Sequence, residues 1–473
     1  MTRSSSQLRQ DALHIWQAGV DAVRSDQLVR NNVQVDGKTL LVGGKSIDLG
    51  KIRRIVAVGA GKAGAGMAAG LEQALGEELM RQKDYTGWIN VPADCVRQLQ
   101  RTTLHPARPA GVNEPTAQGV AGTQQILEIL ATLTPEDFCF CLISGGGSAL
   151  LPAPVAGILL EDKQAVTSHL SGAGANIEEL NVVRKQLSAI KGGGLARHCR
   201  ADWLFSLIIS DVLGDPLDAI ASGPTAPDQS TPQAALEILN RFQAQAAGIS
   251  SRVFDHLQQQ DSHPGCSSSI TCQVHHLVIG NNALAVEAAG VAAAKLGYSH
   301  ALKAATKPEG QADEVGRHLA TKVLQMCHEP GPDCLITGGE PVVQLVDARY
   351  RGRGGRNQQL ALSSLVALSE KLTPEELATL AERFVILSGG TDGEDGPTDA
   401  AGALLDKNVV IRADRLGLSP KDFLERNDAY HFFKPLGGLI LSGPTHTNVC
   451  DLRVVVVNRD HDRDTVSLHN ARR

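Results

Sequence analysis

The stretch 52–75, IRRIVAVGAGKAGAGMAAGLEQAL, decides the reading of the fold. Ile52 to Val58 is an apolar run of the kind that forms a strand buried on both faces. A Gly-rich turn follows, and then a helical pattern runs to about Leu75. Strand, glycine turn and helix in that order open a βαβ unit. Gly59, Gly61 and Gly64 satisfy GxGxxG, which suggests dinucleotide binding. Two features weaken that reading. The acidic residue expected on the ribose, roughly 20 residues on, is missing, because the next strand ends Ile89-Asn90-Val91-Pro92. Lys62 also brings a cation to the helix N-terminus, where amide groups and helix dipole already favour an anion. The turn is not a Walker A loop, since GxxxxGK[ST] is not met. An anion or phosphate site, a dinucleotide site and close helix–strand packing all remain open.

Working outward, the same rhythm repeats. Residues 8–30 show helical spacing through Leu13, Trp16, Val20, Val23 and Leu28, and 33–49 reads as a hairpin turning at Asp36-Gly37. Trp88–Val91 and Phe138–Ile143 read as strands with a helix near 114–132 between them. Residues 176–190 read as helix, and Leu204–Ile209 as a strand ending in Ser210 and Asp211. Such runs predict a parallel sheet covered on both faces. The segment 244–273 is rich in Ser and Gln and is the candidate linker. Beyond it, His276–Gly280 reads as strand and Asn282–Leu296 as helix, with strands at Cys334–Thr337, Val342–Val346, Phe384–Leu387 and Leu452–Val457. Val342–Val346 follows its predecessor too closely for a crossover helix, so the second sheet is expected to be mixed.

The composition fits this layered α/β plan. At roughly 100–200 residues per domain, 473 residues suggest two domains or three. Aromatic residues are 3% against 42% hydrophobic, which favours Ala, Val, Leu and Ile cores over base-stacking platforms. The net charge of -6 carries no charge block, so neither a nucleic-acid arm nor a membrane patch is expected. No apolar run approaches the ~20 residues of a bilayer span. The nine Cys include no CxxC pair, which reads as buried thiols in a reducing compartment. The polar opening MTRSSSQLRQ lacks a signal-peptide core, so a cytoplasmic protein is expected.

Five further stretches could carry chemistry. Ser144-Gly145-Gly146-Gly147-Ser148 follows a strand, and three consecutive glycines let a phosphate lie against bare backbone. With Gly61 these residues form the candidate nucleotide cradle; the alternative is a plain flexible loop. Asp211 closes a strand and Asp215 follows four residues later, where a parallel sheet can catch Mg²⁺ held between phosphates. The blander reading makes both turn-capping residues. Thr337-Gly338-Gly339-Glu340 and then Arg351, Arg353 and Arg356 crowd a Gly-rich loop that opens a helix, and Arg356 is the fork best placed for an anion. Asp392 lies in Ser388-Gly389-Gly390-Thr391-Asp392-Gly393, a hydroxyl- or cation-recognition loop that could equally be ordinary turns. Asn448 precedes the last strand, and the nearby His446 is a weak candidate base.

Taken together, VGAGKAGAGM, LISGGGSALL, LNVVRKQLSAIKGGGLA, LIISDVLGDPLDAIASGPT, TGGEPVV with GRGGRNQQLAL, and LSGGTDGEDGPTDAAGA resemble, in order, the blocks of glycerate 2-kinases of the MOFRL-containing type. The resemblance spans about residues 8–457. It implies two α/β domains: an N-terminal Rossmann-like parallel sheet with helices on both faces, over 1–260, and a C-terminal mixed-sheet domain over 261–473, with its MOFRL region at about 333–457. It further implies an active site in an interdomain cleft and ATP- and Mg²⁺-dependent phosphorylation of D-glycerate at the 2-hydroxyl. By position, Lys62 and Arg356 match the family's basic cleft residues, and Asp211, Glu340, Asp392 and Asn448 its polar ones. The mechanism expected sets the phosphates against Gly145–Ser148. Lys62 and Arg356 neutralise charge, and Asp211, with Asp215, serves Mg²⁺ or the proton. The partners expected are D-glycerate and ATP, with a homodimer left open and no nucleic acid or membrane. An NAD(P)H-dependent hydroxypyruvate reductase, a label members of the family have carried, is the alternative.

Overall fold

Helix α1 (Ser5–Ala22) stops at Val23, and a second helix, α2 (Ser25–Asn32), begins two residues later. The single helical period read over 8–30 is therefore two helices. The computed structural model describes residues 3–261 and 270–459. The chain divides into two compact units. One is Ser25–Gly280 with His446–Asn448; the other is the chain up to Arg24, Asn281–Thr445 and the chain from Val449 onward.

The first unit is built on β1 (Ile55–Ala60), β2 (Thr86–Pro92), β3 (Thr102–Arg108), β4 (Phe138–Ile143), β5 (Trp203–Ile209) and β6 (Gln273–Gly280). They lie in the order β3-β2-β1-β4-β5-β6, and every neighbouring pair is parallel. This is the Rossmann-like sheet expected, with β3 added. β1 and β4 are buried at every position, as a strand covered on both faces must be. On one face Val56, Val58, Cys139, Cys141 and Leu204 pack with Ile126 and Leu130 of helix α4 (Ala117–Ala131) and with Leu195 and Ala196. Helix α3 (Gly64–Gln82) follows β1 directly. The hairpin expected over 33–49 is a three-stranded meander, Val33–Asp36, Thr39–Val42 and Lys45–Asp48.

The second unit carries β7 (His300–Lys303), β8 (Cys334–Gly339), β9 (Phe384–Gly390), β10 (Gly402–Leu405), β11 (Leu439–Ile440) and β12 (Asp451–Val457). Their order is β7-β8-β12-β9-β10-β11; only β7·β8 is parallel, so the sheet is mixed, as expected. The strand expected at Val342–Val346 does not form. Val342 makes a single bridge to Gln311, and Val342 and Leu345 are 56% and 60% exposed. β8 already has β7 on one side and β12 on the other, so 342–346 cannot pair beside the strand it follows. Leu452, Val454 and Val456 of β12 face α1, against Leu8, Ile15, Trp16 and Val20, while Val455 and Val457 face the opposite core with Leu360 and Leu365.

The observed division differs from a boundary at 260 in three places, one of them the segment His446–Asn448, which belongs with the first unit. The apolar stripe of α1 is buried on the mixed sheet, and β6 completes the parallel sheet beside β5. The candidate linker contains the helix Ser251–Asp261, and residues 262–269 of it lie outside the described residues. Of the eight described cysteines, seven are buried and Cys95 is half-buried. Among the described residues no helix is long and apolar enough to cross a membrane.

Candidate functional site

A sheet in the order β3-β2-β1-β4-β5-β6 reverses direction of winding between β1 and β4, and ligands of such sheets bind beyond the carboxyl ends of the strands at that point. The loops there are Gly61–Ala63 and Ser144–Gly147. Main-chain bonds stitch them together: Lys62 N–H donates to Gly145 O (2.9 Å), Ser144 N–H to Ala60 O (3.1 Å) and Gly61 N–H to Asn90 O (3.2 Å). Ser144 is buried, and its Oγ accepts the Ala63 N–H at 3.0 Å. A Cβ on Gly59 would strike the Leu142 carbonyl, and one on Gly61 the Ser144 hydroxyl; one on Gly64 would come within 2.8 Å of Ile89. Close packing therefore accounts for all three glycines of the GxGxxG spacing. Asn90 is buried and structural: its Nδ2 donates to Leu150 O (2.8 Å), and Trp88 Nε1 donates to its Oδ1 (3.2 Å).

Two of the three consecutive glycines are different, because polar side chains crowd them, while a Cβ on Gly147 would meet Ala221 at 2.9 Å. A Cβ on Gly145 would meet the Asp211 carboxylate, which lies against the loop. One on Gly146, whose φ is +77°, would sit 2.9 Å from Arg108 Nη2 and 3.6 Å from Lys62 Cγ. Lys62, Arg108 and Asp211 thus surround side-chain-free backbone at the carboxyl edge, with Gly145 buried and Gly146 half-buried. Sequence reading missed Arg108. It ends β3, a strand not anticipated because Pro106 interrupts its run. Arg108 is buried; its guanidinium donates to Val112 O and to Asn113 Oδ1 (2.6 Å), while Nε has no partner among the described residues. Burial lowers its pKa, against the pull of Asp94 and Cys95.

A second group lies behind Ser148. Lys191, buried, donates from Nζ to Ser148 O (2.8 Å), Ser148 Oγ (2.6 Å) and Ser222 Oγ (3.4 Å). Ser148 and Ser222 share a hydroxyl hydrogen bond of 2.9 Å, and Ser222 Oγ donates to Asn181 Oδ1 at 3.1 Å. Ala221, Ser222 and Gly223 are consecutive left-handed residues (φ +52°, +61°, +62°), a conformation costing about 1–3 kcal/mol at each non-glycine. Gly192 N–H and Gly193 N–H hold the turn by donating to Ser222 O (3.0 Å) and Gly223 O (2.7 Å). The signal in the sequence was Ile190-Lys191-Gly192-Gly193-Gly194, a lysine entering a second triple glycine.

Asp215 occupies a turn with φ +55°, its N–H donating to Val212 O (3.1 Å). No three acidic, His or Cys side chains gather as a metal centre among the described residues. Magnesium carried on phosphates needs only one or two protein carboxylates. Asp211, an oxygen donor beside the glycine loop, suits that requirement.

In the second unit Arg356 opens the helix Arg356–Ser369. Its Nε and Nη2 grip Asp451 bidentately (2.8 and 3.0 Å), and Nη1 donates to Glu340 (2.9 Å). Burial opposes its charge, but Asp451 and then Glu340 outweigh that and raise its pKa. Asn357 Nδ2 also donates to Asp451 (3.0 Å), and Asp395 accepts the N–H groups of Asn357 (3.0 Å) and Gln358 (2.9 Å). Burial pushes the Asp395 carboxyl up to about 7, against those amide donors. Arg356 and Glu340, both singled out from sequence, thus meet; Asp451, which grips Arg356, and Asp395, which accepts from the next two residues, were not singled out. Asp392 stands in the loop after β9, where its Oδ1 accepts Glu394 N–H (3.1 Å) and its carbonyl accepts Thr445 N–H (3.0 Å). Asn448 belongs to the segment His446–Asn448 of the first unit, and in that unit Ser25 Oγ donates to His446 O at 3.1 Å.

Comparison with known proteins extends over nearly the whole chain. Residues 11–258 match a domain of unknown function (DUF4147), and residues 333–451 match the MOFRL family. The human protein named glycerate kinase is 35% identical, covering 96% of this chain and 94% of its own length. The D-glycerate 2-kinase of Thermotoga maritima is 33% identical over 95% of this chain and 98% of its own. A relative from Agrobacterium vitis, 35% identical over 85% and 99%, carries a hydroxypyruvate reductase name. The crystal structure of glycerate kinase from Thermotoga maritima superposes with a TM-score of 0.79 at 32% identity, covering 96% of this chain and all of that one.

Proposed function

The chain belongs to the glycerate kinase family and is a kinase, and from that premise we propose that it transfers the γ-phosphoryl group of ATP to the 2-hydroxyl of D-glycerate, giving 2-phospho-D-glycerate. The observation that carries the reading is the carboxyl edge of the parallel sheet. There Lys62 and Arg108 flank the half-buried Gly146, and the Asp211 carboxylate lies against the buried Gly145. Phosphoryl transfer asks mostly for positioning and charge neutralisation, and this edge offers both. The nucleotide phosphates lie over Gly145–Ser148, and Lys62 neutralises the group in flight. Asp211, with Asp215 as second candidate, would hold Mg²⁺, which would supply charge neutralisation to the phosphates.

Arginine has five N–H donors. Arg356 uses three on Asp451 and Glu340, which leaves one on each terminal nitrogen for an oxyanion. A guanidinium fixed this way by two carboxylates cannot swing. We assign it the glycerate carboxylate, and assign Asp392 and Asn448 the substrate hydroxyls.

The reductase alternative is not favoured. The glycines of its motif are taken by packing, and Asn90 stands buried where a ribose acid would be. Phosphorus NMR of the product from ATP, Mg²⁺ and D-glycerate tests the proposal: the signal should couple to the proton on C2, with ADP formed in equal amount. NADH consumption with hydroxypyruvate and no ADP from glycerate would overturn it. Lys62→Ala should lower kcat/KM by about 10²–10³, the scale of losing one preorganised partner of transition-state charge.

A further inference from the structure

Arg108 is 5% exposed, yet no carboxylate is bonded to it among the described residues. Its anchors are neutral. Nη1 gives both its hydrogens to the segment that follows β3, one to Val112 O and one to Asn113 Oδ1 (2.6 Å). The titratable groups that face it are Asp94 and the Cys95 thiol, on the turn after β2, and they act without a bond to it. A cation buried without an anion is costly. Arg356 shows the usual remedy: the Nε–Nη2 edge of its guanidinium grips Asp451 at 2.8 and 3.0 Å. In Arg108 the same edge holds nothing. Nε is buried without a partner, and Nη2 makes no hydrogen bond among the described residues.

Gly146 shows where that edge points. A Cβ there would lie 2.9 Å from Arg108 Nη2 and 3.9 Å from its Cζ, so the guanidinium reaches the loop with Nη2 foremost. Lys62 Cγ would lie 3.6 Å from the same Cβ. Two cationic side chains therefore meet on one side of a half-buried glycine, around the space a side chain would otherwise fill. With Nη1 fixed by Val112 and Asn113, Arg108 is held in place there.

We infer that Arg108 is a catalytic residue of the phosphoryl transfer, its Nη2 donating to an oxygen of the γ-phosphoryl group that Lys62 neutralises. The inference rests on the phosphate placement proposed above and adds to it a residue and the phosphate it holds. In the transfer, the bond from the γ-phosphorus to the β,γ-bridging oxygen breaks and ADP leaves. The 2-oxygen of glycerate bonds to that phosphorus, and the hydroxyl proton is lost to water. Arg108 gives up no proton, since a guanidinium stays charged. It meets the charge spread over the three outer oxygens of the moving group, and that anion is the partner its Nε–Nη2 edge otherwise lacks.

The γ-phosphoryl group is what ATP has and ADP lacks, so the two nucleotides give the readout. Isothermal titration calorimetry of the full chain is run with Mg²⁺ and either the β,γ-methylene analogue of ATP or ADP. Arg108→Met should lose at least about tenfold in affinity for the analogue and less than about threefold for ADP, the scale of one hydrogen bond to a charged group. With saturating ATP and D-glycerate its kcat should fall by about 10²–10³. A residue that merely held the segment after β3 would weaken both nucleotides alike. Equal losses for the two, undiminished binding of the analogue, or an unchanged kcat would each overturn the inference. Should Arg108→Met not fold, Arg108→Lys decides, because it keeps the charge and loses the fork. The loss should again fall on the analogue, and equal losses or none would count against the inference. Wild-type protein that binds neither nucleotide would bring down the phosphate placement as well; wild-type binding matched by Arg108→Met would remove this inference alone.

Discussion

Arg356 and Lys191 are both cations set at the edge of a sheet, and they are treated in opposite ways. Arg356 is held by two carboxylates, one of them, Asp451, fully buried. Lys191 is more deeply buried and has only hydroxyl and carbonyl oxygens for company. The first arrangement is electrostatically complete before anything binds, so it orients a substrate without changing itself. The second has three neutral oxygens around its Nζ and no carboxylate. One molecule thus contains a cation clamped by acids and a basic side chain held by neutral acceptors.

The contrast can be broken at either end. The largest effect is expected at Asp451→Ala, which leaves Arg356 and Asn357 without their shared acceptor. Stability measured by urea unfolding should fall by about 3–5 kcal/mol, the cost of removing one partner of a buried ion pair. Arg356→Lys keeps the charge but loses the fork. Its kcat/KM should drop about 10–100-fold, with the loss concentrated in the KM for glycerate, if the arginine anchors the carboxylate. A loss confined to kcat would move Arg356 from substrate to transition state. Asp395 offers a pH test of the same unit. Its carboxyl is raised from 3.8 to about 7, so between those values the folded protein holds a proton that the unfolded chain has released. The stability it contributes is full below about 3.8 and gone above about 7, with a slope of at most ~1.4 kcal/mol per pH unit. In Asp395→Asn that component of the pH profile should vanish. The smallest effect on stability is expected for Lys191→Met. Exchanging an uncompensated buried amine for a thioether should change the unfolding free energy by less than about 1 kcal/mol, or raise it. A loss as large as that of Asp451→Ala would mean that Lys191 is structural glue and the two anchors are alike.

What could be read from sequence divides along physical lines. Continuous apolar runs such as Phe138–Ile143 announce a strand buried on both faces, and the parallel sheet followed from them. β3 was missed because TTLHPAR mixes polar residues with a proline. Val342–Val346 is rich in β-branched residues, but β8, which it follows, is paired on both sides, and only the finished sheet reveals that. An amphipathic helix does not say which core it covers, so the place of α1 on the mixed sheet was out of reach. In the site, Lys62 and the triple glycine were legible because they are contiguous with a strand end. Arg108, Lys191 and Asp451 were not, because their partners lie 38, 43 and 95 positions away in Gly146, Ser148 and Arg356.

β12, the strand between β8 and β9, comes from Asp451–Val457, and α1, which packs on it, from Ser5–Ala22. A ribosome releases α1 long before β12. The nascent chain can assemble its parallel sheet once residue 280 has emerged, whereas the mixed sheet has no middle until some 170 residues later. Throughout that interval the greasy side of α1 is without its final cover, which makes the first two dozen residues a natural place for a chaperone to hold on.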